Sequence, residues 1–193
     1  VLSMKLCIFP GTFNPIHNAH IKMAELALEK FGFDKIIFIP SYIPPHKEIN
    51  KNLAKHRFNM VKLAISDNKH FEVSDIEYQS EGKSYSLITV QKIIEQYKIK
   101  NRLDFIIGTD AFVRLDSWYK AEELKSLVHF IVFPRRGEGN KEIYDKFREN
   151  GWDFELVNSV FMDISSTDIR MIGKHNTNKQ VEDYIKNYGL YKS

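Results

Sequence analysis

Short apolar runs alternate with longer stretches of helical period along most of this chain. Residues 5–9 (KLCIF) and 35–40 (KIIFIP) are runs rich in β-branched and aromatic residues without polar alternation, the pattern of strands covered on both faces. Between them Ile21, Ala24 and Leu28 recur at helical spacing from His17 onward, and Phe31-Gly32 marks the stop. The same reading predicts a helix capped by Asn52 and running to about Ser66, with Phe58, Val61, Leu63 and Ile65 among its apolar positions. A third strand follows over 71–76, then a helix capped by Ser84 and ending near Tyr97. Further strands are predicted at 103–107 and 129–133, a polar helix at 141–150 and strand material at 155–163. Strands separated by helices predict an α/β fold, a Rossmann-like doubly wound parallel sheet with helices on both faces and right-handed crossovers.

Composition narrows this picture. A chain of 193 residues with 43% hydrophobic content suits one domain, residues 1–193, with Val1, Leu2 and Ser3 outside the fold. The 28 basic and 25 acidic residues are interspersed, so no basic block advertises nucleic acid as a partner. No apolar run reaches membrane-span length and the start lacks a signal-peptide pattern, so no membrane partner and a cytoplasmic location are expected. The lone cysteine, Cys7, excludes an internal disulfide and fits a reducing compartment. A homo-oligomer stays open.

Candidate chemistry concentrates in Gly11-Thr12-Phe13-Asn14-Pro15-Ile16-His17-Asn18-Ala19-His20, directly after the first strand. Gly11 stands where the backbone must turn sharply or approach a ligand closely, and Pro15 delays the helix. A strand, a turn and a helix N-terminus make an anion site, and His17 and His20, three apart, project to one side of it. Zinc would need more ligands than one cysteine and no HExxH pattern supply, so no metal ligand is assigned. The two histidines could also simply fill a helix start.

Other loops after strands carry functional residue types. Pro44-Pro45 stiffen a loop presenting His46 and Lys47. Gly108-Thr109-Asp110 ends the fourth strand, where open α/β sheets bind ligands, although Asp110 could equally cap a short helix. Trp118-Tyr119 could stack on a flat ring or fill the core. Arg135 and Arg136, after the fifth strand, could meet a phosphate. Ser165 followed by Asp168 is a capping box, so Ser165, Ser166, Thr167 and Arg170 open either a second phosphate site or an ordinary capped helix.

GTFNPIHNAH resembles the GxFxPxHxGH signature of the nucleotidyltransferase superfamily, with Ala19 in the usual glycine's place and Asn14 where Asp is frequent. ISSTDIR resembles that superfamily's ISSTxIR motif. SYIPPHK, Ser84-Tyr85-Ser86, IIGTDAF with Trp118-Tyr119, and the VEDYIKNYGLY tail resemble the nicotinate mononucleotide adenylyltransferase branch, so the likeness covers nearly the whole chain. The resemblance implies adenylyl transfer from ATP, accompanied by Mg²⁺, to nicotinate mononucleotide, with pyrophosphate leaving. It implies that His17, His20 and Arg170 are catalytic, and that Gly11, Thr12, Phe13, Gly108, Asp110 and Ser165 to Thr167 complete the ATP site. It implies an acceptor site of His46, Lys47, Ser84, Tyr85, Ser86, Asp110, Trp118, Tyr119 and Arg135 or Arg136. Phosphopantetheine adenylyltransferases share the first and last motifs but are usually shorter and lack PPHK and IIGxD…WY. A nucleotide-binding module without turnover is a third reading, opposed by the intact His17, His20 and Arg170.

Overall fold

Residue parity sorts the strand side chains between two cores. In β2 (Lys35–Pro40) Ile37 and Ile39 join one buried cluster while Ile36 and Phe38 join another. Strands covered on both faces have no solvent side to mark with polar residues, which is why they read as continuous apolar runs. The computed structural model describes residues 4–134, 140–157 and 176–192. Its sheet comprises β1 (Leu6–Gly11), β2, β3 (Phe71–Val73), β4 (Leu103–Gly108), β5 (Val128–Phe133) and β6 (Phe154–Leu156). All pairs are parallel and the order is β3-β2-β1-β4-β5-β6. The chain winds outward from β1 to β3, then returns to β4 beside β1. The carboxyl ends of β1 and β4 therefore flank the point where the winding reverses, the place where a crevice opens in such sheets.

Helices cover both faces. On one side α1 (Asn18–Phe31) buries Ala24 and Ala27, α2 (Ala54–Ala64) buries Met60 and Val61, and the last described helix, here α7 (Lys179–Tyr188), buries Val181 and Ile185. The alanines of α1 let it lie close to the sheet, with Ile21 and Leu28 packed at the margins. On the other side α3 (Ser86–Tyr97) contributes Leu87, Val90 and Ile93; the short α4 (Thr109–Phe112) and α5 (Ala121–Lys125) add Phe112 and Leu124; and α6 (Lys141–Glu149) adds Tyr144 and Phe147.

Several element ends differ from the sequence reading because tertiary bonds take the local donors. The cap expected at Asn52 lies at Asn50, whose side chain accepts the Asn52 N–H and opens a single 3₁₀ turn before α2. The third strand stops at Val73, because Ser74 makes the last rung to Phe38 O and its hydroxyl accepts from Ile76 N–H, starting a 3₁₀ turn over Ile76–Tyr78. Ser84 does not cap α3: its N–H goes to Ile43 O at 2.8 Å, and Tyr85 takes the cap position without a side-chain bond. Asp110 sits within the first turn of α4, and Gly108 holds the cap position instead. Strand β6 is described only to Leu156, and the expected strand residues past 157, Val1 to Ser3 and the capping box at Ser165 lie outside the described residues.

At the amino end of the sheet His129 donates or accepts at both ring nitrogens, 3.2 Å from Asp153 and 2.9 Å from Glu155, while Arg102 reaches Asp153 at 3.3 Å. Burial works against the imidazolium, but the two carboxylates outweigh it and hold His129 above its ordinary value. A group whose folded value is raised stabilises the fold below its unfolded value of about 6.5, and that contribution disappears as pH rises through the folded value. His129→Gln should therefore lower Tm by about 2–4 °C at pH 6, as expected for roughly 1 kcal/mol in a chain of this size, and have little effect at pH 9. Thermal melts of both proteins at the two pH values test this, and equal losses at both would refute it.

Candidate active site

The loop leaving β1 is shaped by its own aromatic residue. A Cβ on Gly11 would lie 3.0 Å from the Phe13 ring, so glycine is required by close approach from below. Phe13 takes a left-handed backbone, φ 48°, a conformation costing a non-glycine residue roughly 1–2 kcal/mol. Its ring is buried and edge-on to Phe9 at 5.3 Å and to His20 at 5.0 Å, contacts that offset the strain. Only the Phe13 backbone can thus face a ligand. His17 takes the cap position of α1 in extended backbone, and its N–H donates to His20 Nδ1 at 3.1 Å. That bond places the His20 proton on Nε2. The two imidazoles stack with centroids 3.8 Å apart, His17 being 4% exposed and His20 half-buried. Asn18, the first helical residue, donates from its N–H to Asn176 O and from its amide to Asn176 Oδ1.

A buried arginine ties this loop to the next. Arg57 of α2 is 0% exposed, and its guanidinium donates to Thr12 O at 2.7 Å, Ser41 O at 2.7 Å and Tyr42 O at 3.1 Å. Burial pulls it below its ordinary value, opposed by Tyr78, Tyr191 and Glu77 nearby. Ser41 N–H also bonds Gly11 O at 2.9 Å, so the loops after β1 and β2 are joined at their roots.

Gly11, Thr12, His46, Lys47, Ser84, Tyr85, Ser86, Gly108, Asp110, Trp118 and Tyr119, all singled out from sequence, line one cleft at the carboxyl ends of β1 and β4. A Cβ on Gly108 would meet Asp110 Oδ1 at 2.9 Å, which is why the carboxylate can fold over the strand end. Asp110 is exposed there. Trp118 is half-buried, packed on Phe105, with the His46 ring opposite it at 6.4 Å and inclined by only 27°. Tyr119 packs against Tyr85, the ring centroids 4.6 Å apart and the planes tilted by 33°. Asp116, just before this pair, accepts from Trp152 Nε1 at 2.8 Å and serves the core.

His17 and His20 are not part of that cleft's lining; they stand at the start of α1. Arg135, Arg136, Ser165, Ser166, Thr167 and Arg170 lie outside the described residues. Sequence reasoning missed Arg57 and Glu77. Arg57 shares the helical stripe of Met60, Val61 and Ala64, so a charge on an apolar face was the available signal. Glu77 lines the cleft at 8% exposure, and burial pushes its carboxyl up to about 7 against a hydrogen bond from Thr89 Oγ1 at 2.6 Å.

A lysine at position 57 could not span three carbonyls on two loops, so Arg57→Lys should cost about 2–4 kcal/mol in denaturant unfolding. It should also speed amide exchange at Ser41 more than in α6. Uniform acceleration would make Arg57 a general core residue instead of a loop fastener.

The cytidylyltransferase-like family model matches residues 8–172. A probable nicotinate-nucleotide adenylyltransferase of Caldicellulosiruptor saccharolyticus is 37% identical, covering 98% of this chain and 100% of that protein. One from Fusobacterium nucleatum is 41% identical over 86% of each. Among solved structures, the Plasmodium falciparum nicotinic acid mononucleotide adenylyltransferase complexed with NaAD superposes with a TM-score of 0.77 at 22% identity, covering 96% of both chains. A family model matched over residues 8–172 and identity above 30% along nearly the whole of both chains lead to one conclusion: the chain belongs to the cytidylyltransferase-like family, within the group named nicotinate-nucleotide adenylyltransferases.

Proposed function

We propose that the protein transfers the adenylyl group of ATP to nicotinate mononucleotide, releasing pyrophosphate and forming nicotinate adenine dinucleotide in NAD biosynthesis. The observation that carries this reading is the single cleft in which the β1 loop, the Trp118–His46 ring pair and the start of α3 converge. Opposed rings 6.4 Å apart leave close to the ~7 Å that a sandwiched aromatic ring occupies, and a small outward movement admits a pyridine ring. Stacking does not distinguish acid from amide. Discrimination falls to polar groups, and α3 begins at Ser86 without a side-chain cap, leaving its first N–H groups and dipole available to a carboxylate.

In the reaction the acceptor phosphate oxygen attacks the ATP α-phosphorus in line; the new P–O bond forms as the bond to pyrophosphate breaks. No covalent enzyme intermediate is needed, only alignment and neutralisation of charge on phosphoryl oxygens. His17 and His20 hold the α- and β-phosphate oxygens in this reading. Arg170 and the Ser165 to Thr167 segment hold the departing pyrophosphate. The described chain returns at Asn176, which bonds the first residue of the histidine helix, and this supports a site shared between the two motifs. Mg²⁺ enters with ATP. Among the described residues no three His, Cys, Asp or Glu side chains converge on a metal-sized site, and the exposed Asp110 carboxylate at the cleft suits an ion held chiefly by phosphate oxygens. No helix among the described residues is long and apolar enough to cross a membrane.

Steady-state assays with ATP, Mg²⁺ and three acceptors test the assignment. Nicotinate mononucleotide should exceed the amide by at least about 10²-fold in kcat/KM, with 4′-phosphopantetheine inert. Turnover of phosphopantetheine alone would transfer the protein to coenzyme A biosynthesis, and absence of pyrophosphate release would make it a binding module. His20→Ala should lower kcat by about 10² to 10⁴ while melting near the parent temperature. A folded variant with full activity would remove His20 from the site.

A further inference from the structure

Glu77 is a buried charge in the cleft wall that adenylyl transfer does not use. It stands in the 3₁₀ turn after β3 and shares the cleft with Ser84, Ser86, Trp118 and Tyr119. Thr89, one turn into α3, donates its hydroxyl to Glu77 Oε2 at 2.6 Å, and the Ser84 hydroxyl stands nearby without meeting hydrogen-bond geometry. No described lysine or arginine forms an ion pair with it. Arg57 of α2 and Lys92 of α3 favour its charged form from a distance, but Arg57 spends its donors on three carbonyls and Lys92 bonds Ser80 at 3.0 Å. Tyr78, in the same turn, bonds Ala54 O and packs on Tyr42 of the loop after β2. His46 and Lys47 line the cleft from that loop, and Asp110 and Arg114 line it from the β4 side.

We propose that Glu77 is a specificity-determining residue, whose protonation state sets how strongly the acceptor end of the cleft favours a ring carboxylate over a ring amide. This rests on the nicotinate reading above. A protonated Glu77 is a neutral donor beside the start of α3. An ionised Glu77 adds a second negative charge to a low-dielectric wall and opposes an anionic ring substituent, leaving a neutral amide unaffected. Burial holds this carboxyl near 7, so the neutral form prevails below that pH and the charged form above it. The acid's advantage should therefore shrink as pH rises, roughly tenfold across the transition for like charges several ångströms apart.

The test is the ratio of kcat/KM for nicotinate mononucleotide to that for the amide, measured from pH 5.5 to 9 with the whole protein. The ratio cancels titration of the shared acceptor phosphate, of ATP and of His17 and His20. An amide too slow to follow as substrate is measured as a competitive inhibitor. The ratio should fall about tenfold with a midpoint near 7, and Glu77→Gln should flatten it. Thr89→Val removes a donor to the charged form and should move the midpoint to higher pH. That variant keeps Glu77 in place, so it tests the idea even if the glutamine variant misfolds. A pH-independent ratio in the parent, an unchanged slope in Glu77→Gln or an unmoved midpoint in Thr89→Val would overturn the role of Glu77. No preference for the acid at any pH would instead overturn the acceptor assignment.

Discussion

A guanidinium removed from water beneath two strand-end loops is the constraint on which the rest of this structure depends. Burying an isolated charge costs several kcal/mol, and Arg57 survives at 0% exposure because three backbone carbonyls supply the lost solvation. Those carbonyls belong to Thr12, which leads into the histidine helix, and to Ser41 and Tyr42, which lead into Pro44-Pro45-His46-Lys47. A parallel sheet leaves the carbonyls at its strand ends short of partners. Here one side chain answers that shortage and sets the spacing of two ligand-facing loops together.

The fold was legible because both faces of the sheet are covered. The run 35–40 carries β-branched or aromatic residues without a break from Ile36 to Ile39, and the structure gives β2 the bounds Lys35–Pro40. Ends were less legible wherever a distant group claimed a local donor. Ser84 looks like a cap in isolation, yet its N–H belongs to Ile43, which no local pattern contains. The cleft was legible through residues whose chemistry is conspicuous in sequence: glycines at strand ends, prolines before His46, and an aromatic pair. Arg57 and Glu77 were not, because each derives its meaning from partners brought in by folding. Arg57 bonds Thr12 across 45 positions, and Glu77 is an ordinary glutamate until burial raises it.

The described site also has two halves of different character. One half is an open cleft walled by Trp118, Tyr119, His46 and the start of α3. The histidine half is packed: His17 and His20 stack on each other, and Phe13 and Phe9 support His20 from the side. In the proposed transfer, rigidity suits groups that must meet charge developing at a fixed phosphorus, whereas an opening between rings suits a partner that enters and leaves.

The bonds from Asn18 to Asn176 and from Tyr191 to Asn14 span 158 and 177 positions. Closing loops of that length comes late in folding, after the local strand-helix units have formed, since the entropy of closure is lost before the contacts repay it. The histidine motif is therefore among the last segments to take its final shape. The sheet can assemble around β1 first, while the start of the helix that carries His17 and His20 waits for the segments flanking α7, which supply Asn176 and Tyr191. The geometry around His17 and His20 is thus completed by partners 158 and 177 positions away along the chain.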